Sequence, residues 1–371
     1  MINKLLSCIK YLNRQRNLKI KPLKSAIKLY LLNRKKKERS LLTIEHYSKV
    51  AILMNDQGIG DAIVTSYLIE SLRKNSFKVY VIVEKRIAFL FDEFITVDGI
   101  LLYDRKKNIK KIRDQLGNTK IDIIVDLVDK GPNSVRRSQI IKIINPLHTI
   151  GFNHEKYKLY DSSINYHEYN SHITMRSQKV LELLNIKSDS IKYYLNIPVS
   201  IEQEVKNYLN PIITLGKKII IFNPFGSNSA RSFSSSQIEI ILSFLSQFDN
   251  YITIIVGESE KISQIKALQN IIINPMSCFF NTVALVKYSD FVITVDTSIV
   301  HVASTYEKKM LCVYNNRIID RKFVNNFVWG PNYANAIQIF TNENLNTGLG
   351  DLISNLDVSV ILKQLKNELN N

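Results

Sequence analysis

Tryptophan occurs once, at Trp329, and cysteine three times, at Cys8, Cys278 and Cys312, in a chain of 371 residues. Three thiols so far apart make neither a metal-ligand spacing nor a disulfide scaffold, and their scarcity suits a reducing compartment. No apolar run approaches the roughly 18 residues needed to span a bilayer. Lys10 interrupts the short apolar stretch 5–9, so no secretory leader is expected. These absences together predict a cytoplasmic protein. The six histidines, His46, His148, His154, His167, His172 and His301, form no His-Glu-x-x-His pair and lie outside cysteine-ligand spacing. There is no Gly-x-Ser-x-Gly elbow, no Walker phosphate loop and no kinase signature set. No Asp-x-Asp triplet signals a metal–diphosphate clamp, so neither a metal nor another cofactor is expected.

What is present is ordinary for a folded chain: 45% apolar and 22% charged residues. The length suits about two domains. Charge is placed unevenly. Residues 1–40 hold thirteen Lys or Arg against one acid, Glu38, so most of the formal +17 sits there. Ile2, Leu5, Leu6, Ile9 and Leu12 have helical spacing, as do Leu23, Ala26, Ile27, Tyr30 and Leu31. Pro22 fits a first helical position between them. A basic amphipathic helix suits an anionic membrane surface; the other reading is a solvated helical extension packed on the body. Nucleic acid is not an expected partner, because the segment lacks interleaved aromatics.

From residue 49 onward, short Ile- and Val-rich runs alternate with amphipathic stretches. Strands are predicted at 49–54, 78–83, 99–103 and 121–126, and again at 218–223, 251–256, 271–273, 291–296 and 310–314. Helices are predicted at 61–74, 85–94, 106–116, 171–184, 234–248, 258–268, 281–288 and 297–306. This alternation implies α/β units built on parallel sheets. Four segments follow: a basic extension, 1–48; a first Rossmann-like unit, 49–197; a second, 212–345; and a terminal helix, 356–371. The stretch 198–211 reads as a linker. Two doubly wound units place ligands at the carboxyl ends of their strands.

Three strand ends carry the chemistry. Gly58-Ile59-Gly60-Asp61 opens a helix, where glycine lets backbone approach a ligand and the helix terminus favours an anion. Asp61 reads either as a helix N-cap or as a general base at a cleft. Gly58, Gly60 and Glu84 partly match a dinucleotide fingerprint, but Ile63 stands at the third glycine position. Asn223-Pro224-Phe225-Gly226-Ser227 precedes Arg231, a fixed cation suited to phosphate. Asp296, Thr297 and Ser298 open the helix that carries His301, a terminus suited to an anion. A capping role for Asp296 or Thr297 and a core role for His301 are the structural alternatives.

Taken in order, these segments resemble glycosyltransferase family 9, the bacterial lipopolysaccharide heptosyltransferases. Gly60-Asp61-Ala62-Ile63-Val64-Thr65 is similar to the family's N-terminal Gly-Asp motif. Asn223–Ser227 through Arg231-Ser232-Phe233 is similar to its His-Pro-Gly-Ala-Ser…Lys-Arg-Trp loop. Val295-Asp296-Thr297-Ser298-Ile299-Val300-His301-Val302-Ala303 resembles Val-Asp-Thr-Gly-Leu-x-His-Leu-Ala. Fainter echoes are Ile150-Gly151-Phe152, His172…Arg176 and Trp329-Gly330-Pro331. The resemblance covers residues 49–369 and leaves the basic extension outside.

The resemblance implies a GT-B architecture, two Rossmann-like domains facing across a cleft, the first for an acceptor and the second for a nucleotide sugar, usually ADP-heptose. It makes Asp61 the base and Arg231 the cation that neutralises the diphosphate. Ser227, Asp296, Thr297, Ser298 and His301 would surround the donor, with Met276 near the base and Glu258 or Glu260 on the ribose. Gly60 and Arg176 would line the acceptor side, and no metal is called for. The acceptor would be an anionic lipopolysaccharide-core glycolipid at the cytoplasmic face of the inner membrane, with residues 1–40 on the leaflet. The chain departs from the family pattern at four places. Arg231 replaces lysine, Ser298 and Phe225 replace glycines, and Asn315-Asn316 follows the strand 310–314. The altered donor loop motivates an alternative, a catalytically idle member that serves as a scaffold in envelope assembly. A nicotinamide enzyme is the third reading.

Overall fold

The computed structural model describes residues 20–33, 47–54, 57–104, 109–129, 134–168, 170–187, 190–276, 278–316, 318–319, 323–342 and 351–370. The expected helical face Ile2–Leu12 and the basic run 34–37 lie outside the described residues.

The first sheet contains β1 (Lys49–Leu53), β2 (Lys78–Glu84), β3 (Gly99–Tyr103), β4 (Ile123–Val125), β5 (His148–Phe152) and β6 (Ser162–Ile164), in the order β3-β2-β1-β4-β5-β6. The second contains β7 (Lys218–Asn223), β8 (Tyr251–Ile255), β9 (Ile271–Ile273), β10 (Phe291–Val295), β11 (Met310–Tyr314) and a last strand, Ala336–Phe340, which flanks β11. From that strand inward the order is β11-β10-β7-β8-β9. Every pairing in both sheets is parallel. Parallel strands are covered by helices on both faces, so they read as continuous apolar runs; all five residues of β8, β10 and β11 are buried. Chain order reverses between β1 and β4 and between β7 and β10, and a doubly wound sheet binds ligands at such switch points.

The helices start where their sequences allow. Ser234 caps Ser235–Leu245: its hydroxyl accepts the Gln237 N–H at 3.3 Å, and the Gln237 side chain takes the Ser234 N–H at 2.9 Å. That reciprocal pair satisfies two otherwise free donors. Ile238, Ile241, Leu242 and Leu245 then fall on the buried face. The terminal helix Val358–Leu369 buries Ile361, Leu365 and Leu369 in the second unit's core and lies against Ser235–Leu245.

Several elements differ from the sequence expectations. Prolines 198 and 211 suggested a linker, yet Val199–Thr214 is a helix. Pro198 stands just outside it, where a missing N–H costs nothing. Helix Ser134–Ile144 and strands β5 and β6 were not expected, because their polar residues hide their burial. His148 is buried with its Nε2 2.8 Å from the Ser162 hydroxyl. Conversely, the helix expected over 258–268 spans only Ser259–Ile262.

The two units touch directly. The Phe94 ring stacks on Phe280 with centroids 4.0 Å apart, and the Tyr306 hydroxyl donates to the Leu195 carbonyl at 3.3 Å. One continuous apolar cluster contains Val50 of the first sheet and Ile221 of the second. No helix among the described residues is long and apolar enough to cross a membrane.

Candidate active site

Asp61 lies in the first turn of helix Ile59–Lys74, directly after β1. Its carboxylate accepts the Gly58 N–H at 2.6 Å. It is half-buried, and burial raises its pKa above the ordinary carboxylate value, against the opposing pull of the Gly58 N–H and the Arg86 charge. A carboxylate so held binds a proton more readily than a solvated one. Arg86 is half-exposed, donates to the Gln57 carbonyl at 2.5 Å and lies 3.3 Å from Glu84. Sequence reasoning passed it over because it belongs to no motif. Glu84 is buried and accepts from the Tyr103 hydroxyl at 3.0 Å, which gives it a structural occupation.

Across the cleft, Thr297 caps helix Ser298–Thr305, its hydroxyl accepting the Ile299 N–H at 3.2 Å. The buried Asn223 side chain holds that hydroxyl at 2.9 Å and the Thr294 hydroxyl at 3.0 Å. The β7–β10 register makes this possible by placing Asn223 beside Thr294. Asp296 is buried and pairs with the Arg231 guanidinium at 3.0 Å. Arg231 also donates to the exposed Ser227 hydroxyl, while its buried Nε has no partner among the described residues. The loop that carries Arg231 folds tightly on itself. A Cβ on Gly226 would stand 2.4 Å from the Arg231 carbonyl oxygen, so the glycine is a packing requirement.

His301 is buried beside Tyr193 and Trp329, with ring centroids 6.2 and 6.3 Å away. Burial, aided by His172, pushes its pKa down to about 3, so the ring is neutral near pH 7. Its Nδ1 has no partner among the described residues. Ser298 is half-buried at the same terminus. The two helix N-termini meet: a Cβ on Gly60 would lie 2.8 Å from His301 Cδ2 and 3.7 Å from the Ser298 Cα. Each terminus carries roughly half a positive charge, so the cleft floor favours an anion.

The remaining positions divide. Glu258 lies just beyond β8, next to Gly257, which neighbours Asn223 and Phe225, and pairs with Lys261 at 2.8 Å. Glu260 is exposed on the short helix that follows. Met276 is half-buried, and its backbone is clamped by the Asn274 side chain at 2.8 and 3.1 Å. Arg176 is buried, donates to the Leu127 carbonyl at 2.8 Å and lies 5.3 Å from both the Phe152 and Tyr166 rings. It holds the loop that follows β4. Arg137 is buried and pairs with Asp126 at 2.9 Å, which the Tyr160 hydroxyl also contacts at 2.7 Å. Arg136 donates to the Asp104 carbonyl at 3.1 Å. The faint echoes make close packing contacts. The Tyr160 ring lies so close to Gly151 that a Cβ there would approach within 2.4 Å, and His172 Nε2 is 3.1 Å from the Gly330 carbonyl oxygen.

Two doubly wound units joined along a cleft, with strand-end loops of both converging on it, define the GT-B class of glycosyltransferases. The likeness to solved structures agrees. The family 9 glycosyltransferase of Veillonella parvula DSM 2008 matches with a TM-score of 0.70 at 16% identity, over 87% of this chain and 98% of that one. The ADP-heptose lipopolysaccharide heptosyltransferase II of E. coli matches with a TM-score of 0.62 at 13% identity, over the same shares. Residues 109–343 match the family described as glycosyltransferase family 9 (heptosyltransferase), and the chain belongs to that family. A relative in Escherichia coli (strain K12), provisionally named lipopolysaccharide heptosyltransferase 4, is 29% identical over 298 residues, 78% of this chain and 80% of its own length. The protein is therefore a glycosyltransferase.

Proposed function

We propose that the chain transfers heptose, or a closely related sugar, with inversion from a nucleotide-diphosphate sugar to a hydroxyl of an anionic lipopolysaccharide-core glycolipid. The observation that supports this reading is the close approach of Gly60, the neighbour of Asp61, to His301 and Ser298 on the helix that Thr297 caps. Asp61 takes the proton of the acceptor hydroxyl as its oxygen bonds to the anomeric carbon. The bond from that carbon to the diphosphate oxygen breaks, and the nucleoside diphosphate leaves. The leaving group gains negative charge, which the Arg231 guanidinium and the helix terminus at Thr297 oppose. These two groups support a metal-independent reaction.

In this reading residues 49–197 take the acceptor and 212–345 the donor. Ser227, Asp296, Thr297, Ser298 and His301 surround the diphosphate and sugar. Glu258, next to the donor loop, holds the ribose, and Met276 packs against the base. ADP-heptose is the favoured donor, because relatives of this fold carry it in their names. Arg86, exposed beside Asp61, meets the acceptor's negative charge in place of the buried Arg176. The lipid acceptor brings the enzyme to the cytoplasmic face of the inner membrane, with residues 1–40 against the leaflet.

The test is thermal unfolding with ADP, ADP-heptose, UDP, GDP and NAD, followed by transfer assays. A ligand that binds only the folded state raises the melting temperature. A shift with ADP and a larger one with ADP-heptose are expected. A shift with UDP or GDP alone overturns the donor, and donor binding without transfer to any core acceptor supports the scaffold alternative.

A further inference from the structure

The helix Lys21–Asn33 presents two different faces. One packs on the protein. Leu29 and Leu32 are half-buried, Asn33 is buried, and the helix lies against Ser134–Ile144. The Asn33 Oδ1 accepts the Leu159 N–H at 3.4 Å. The other face carries Leu23, Ile27, Tyr30 and Leu31, which are 62, 51, 70 and 53% exposed, with Ile20 beside them at 46%. At helical spacing these residues fall within one stripe about 100° wide. Lys24 and Lys28, both exposed, run along its edge. Extension and packing are therefore not alternatives: the helix is anchored by one face and leaves an apolar stripe on the other.

Charge selects the occupant. No acidic residue precedes Glu38, and thirteen of the first 40 residues are Lys or Arg. A second copy of this segment would bring like charge to like. An anionic bilayer surface satisfies both features, taking the apolar side chains at the acyl boundary and the lysines among its headgroups. We propose that Lys21–Asn33 is an interfacial helix whose stripe Leu23, Ile27, Tyr30 and Leu31 enters an anionic leaflet while its inner face holds the first unit against the membrane. Its anchor points, Ser134–Ile144 and Leu159, belong to the first unit, which also carries Asp61, so a docked helix brings the unit that would take the acceptor to the bilayer. That consequence rests on the glycolipid reading above; the docking itself does not.

The test uses the full chain and vesicles of phosphatidylglycerol with phosphatidylcholine, or phosphatidylcholine alone, read by sedimentation. The wild type is expected to bind the anionic vesicles at least tenfold more strongly than the neutral ones. Replacing Leu23, Ile27, Tyr30 and Leu31 together by Gln is expected to lower that binding at least tenfold without moving the melting temperature. Lys24→Gln with Lys28→Gln, a gentler change, is expected to weaken it severalfold and reduce its salt dependence. Unchanged binding in both variants overturns the proposal. So does a lipid-free dimer, seen by light scattering, that the Gln variant dissociates, since the stripe then belongs to a second copy. Transfer to a deacylated, soluble acceptor is expected to survive the Gln variant. If the wild type transfers nothing, the catalytic reading fails while the vesicle result stands.

Discussion

Gly60 and His301 meet across the cleft with no room between them, since a Cβ at Gly60 would stand 2.8 Å from His301 Cδ2. The contact sets how closely the helix carrying Asp61 approaches the helix capped by Thr297. Gly60→Ala gains up to about 1 kcal/mol of helix propensity but costs about 1–3 kcal/mol by overpacking. Net destabilisation by urea unfolding is expected, with a larger proportional loss of kcat/KM. If the contact is the cause, the stability loss largely disappears in a His301→Ala background, as a double-mutant cycle would show.

Asp61→Asn is expected to lower kcat by about 10²–10⁴, the usual worth of a positioned base, while the ADP-induced rise in melting temperature persists. Full activity in that variant removes Asp61 as the base. The raised pKa of Asp61 also fixes a sign. Between the unfolded and folded values the native state binds more protons than the unfolded one, so this group's contribution to stability falls as pH rises through that window. Asp61→Asn is therefore expected to melt above the wild type at pH 7.5, with the gap closing toward pH 4. The acid limb of kcat is expected above the ordinary carboxylate range of about 4.

Arg231 is paired with Asp296 at 3.0 Å. Arg231→Gln removes the cation proposed to oppose the leaving diphosphate, and a loss of about 10²–10³ in kcat is expected. Arg231→Lys keeps the charge without the planar fork and should retain clearly more activity and ADP affinity. Equal loss in both variants, read by steady-state kinetics and ADP titration, would mean that fork geometry rather than charge is what matters.

The Asp126–Arg137 pair is almost fully buried, with side chains 0 and 3% exposed. Asp126→Asn leaves a buried guanidinium without its counter-charge. Such a change costs about 3–5 kcal/mol, measurable as a lower urea midpoint. Removing both charges with Asp126→Leu and Arg137→Met should recover part of that loss. A neutral Asp126→Asn would show that the loop 126–129 does not depend on the pair.

The apolar runs of β1, β2, β7, β8, β10 and β11, the helices between them and the polar strand ends at Asp61, Arg231 and Asp296 are all legible in the chain. Their causes are local: side-chain period, capping residues and glycine where backbone must come close. The order of those strand ends carried the family resemblance as well. Polar interiors were not legible. The burial of His148, Arg137 and Arg176 was hidden, because their partners Ser162, Asp126 and the Leu127 carbonyl come into range only after the sheet forms. The helix Val199–Thr214 was obscured by two prolines, Pro198 at its N-cap and Pro211 within its last turn. Arg86 gained a place beside Asp61 through β2 pairing with β1 rather than through any motif.

Period, caps and composition act over a few residues, so the chain alone settled the α/β class, the two units and the residue types at the strand ends. The meeting of Gly60 with His301, the pairing of Arg231 with Asp296 and the outward turn of Leu23, Ile27, Tyr30 and Leu31 were settled by packing between distant segments. That packing depends on which surfaces can approach without voids or unpaired charge, a condition no local stretch of sequence contains.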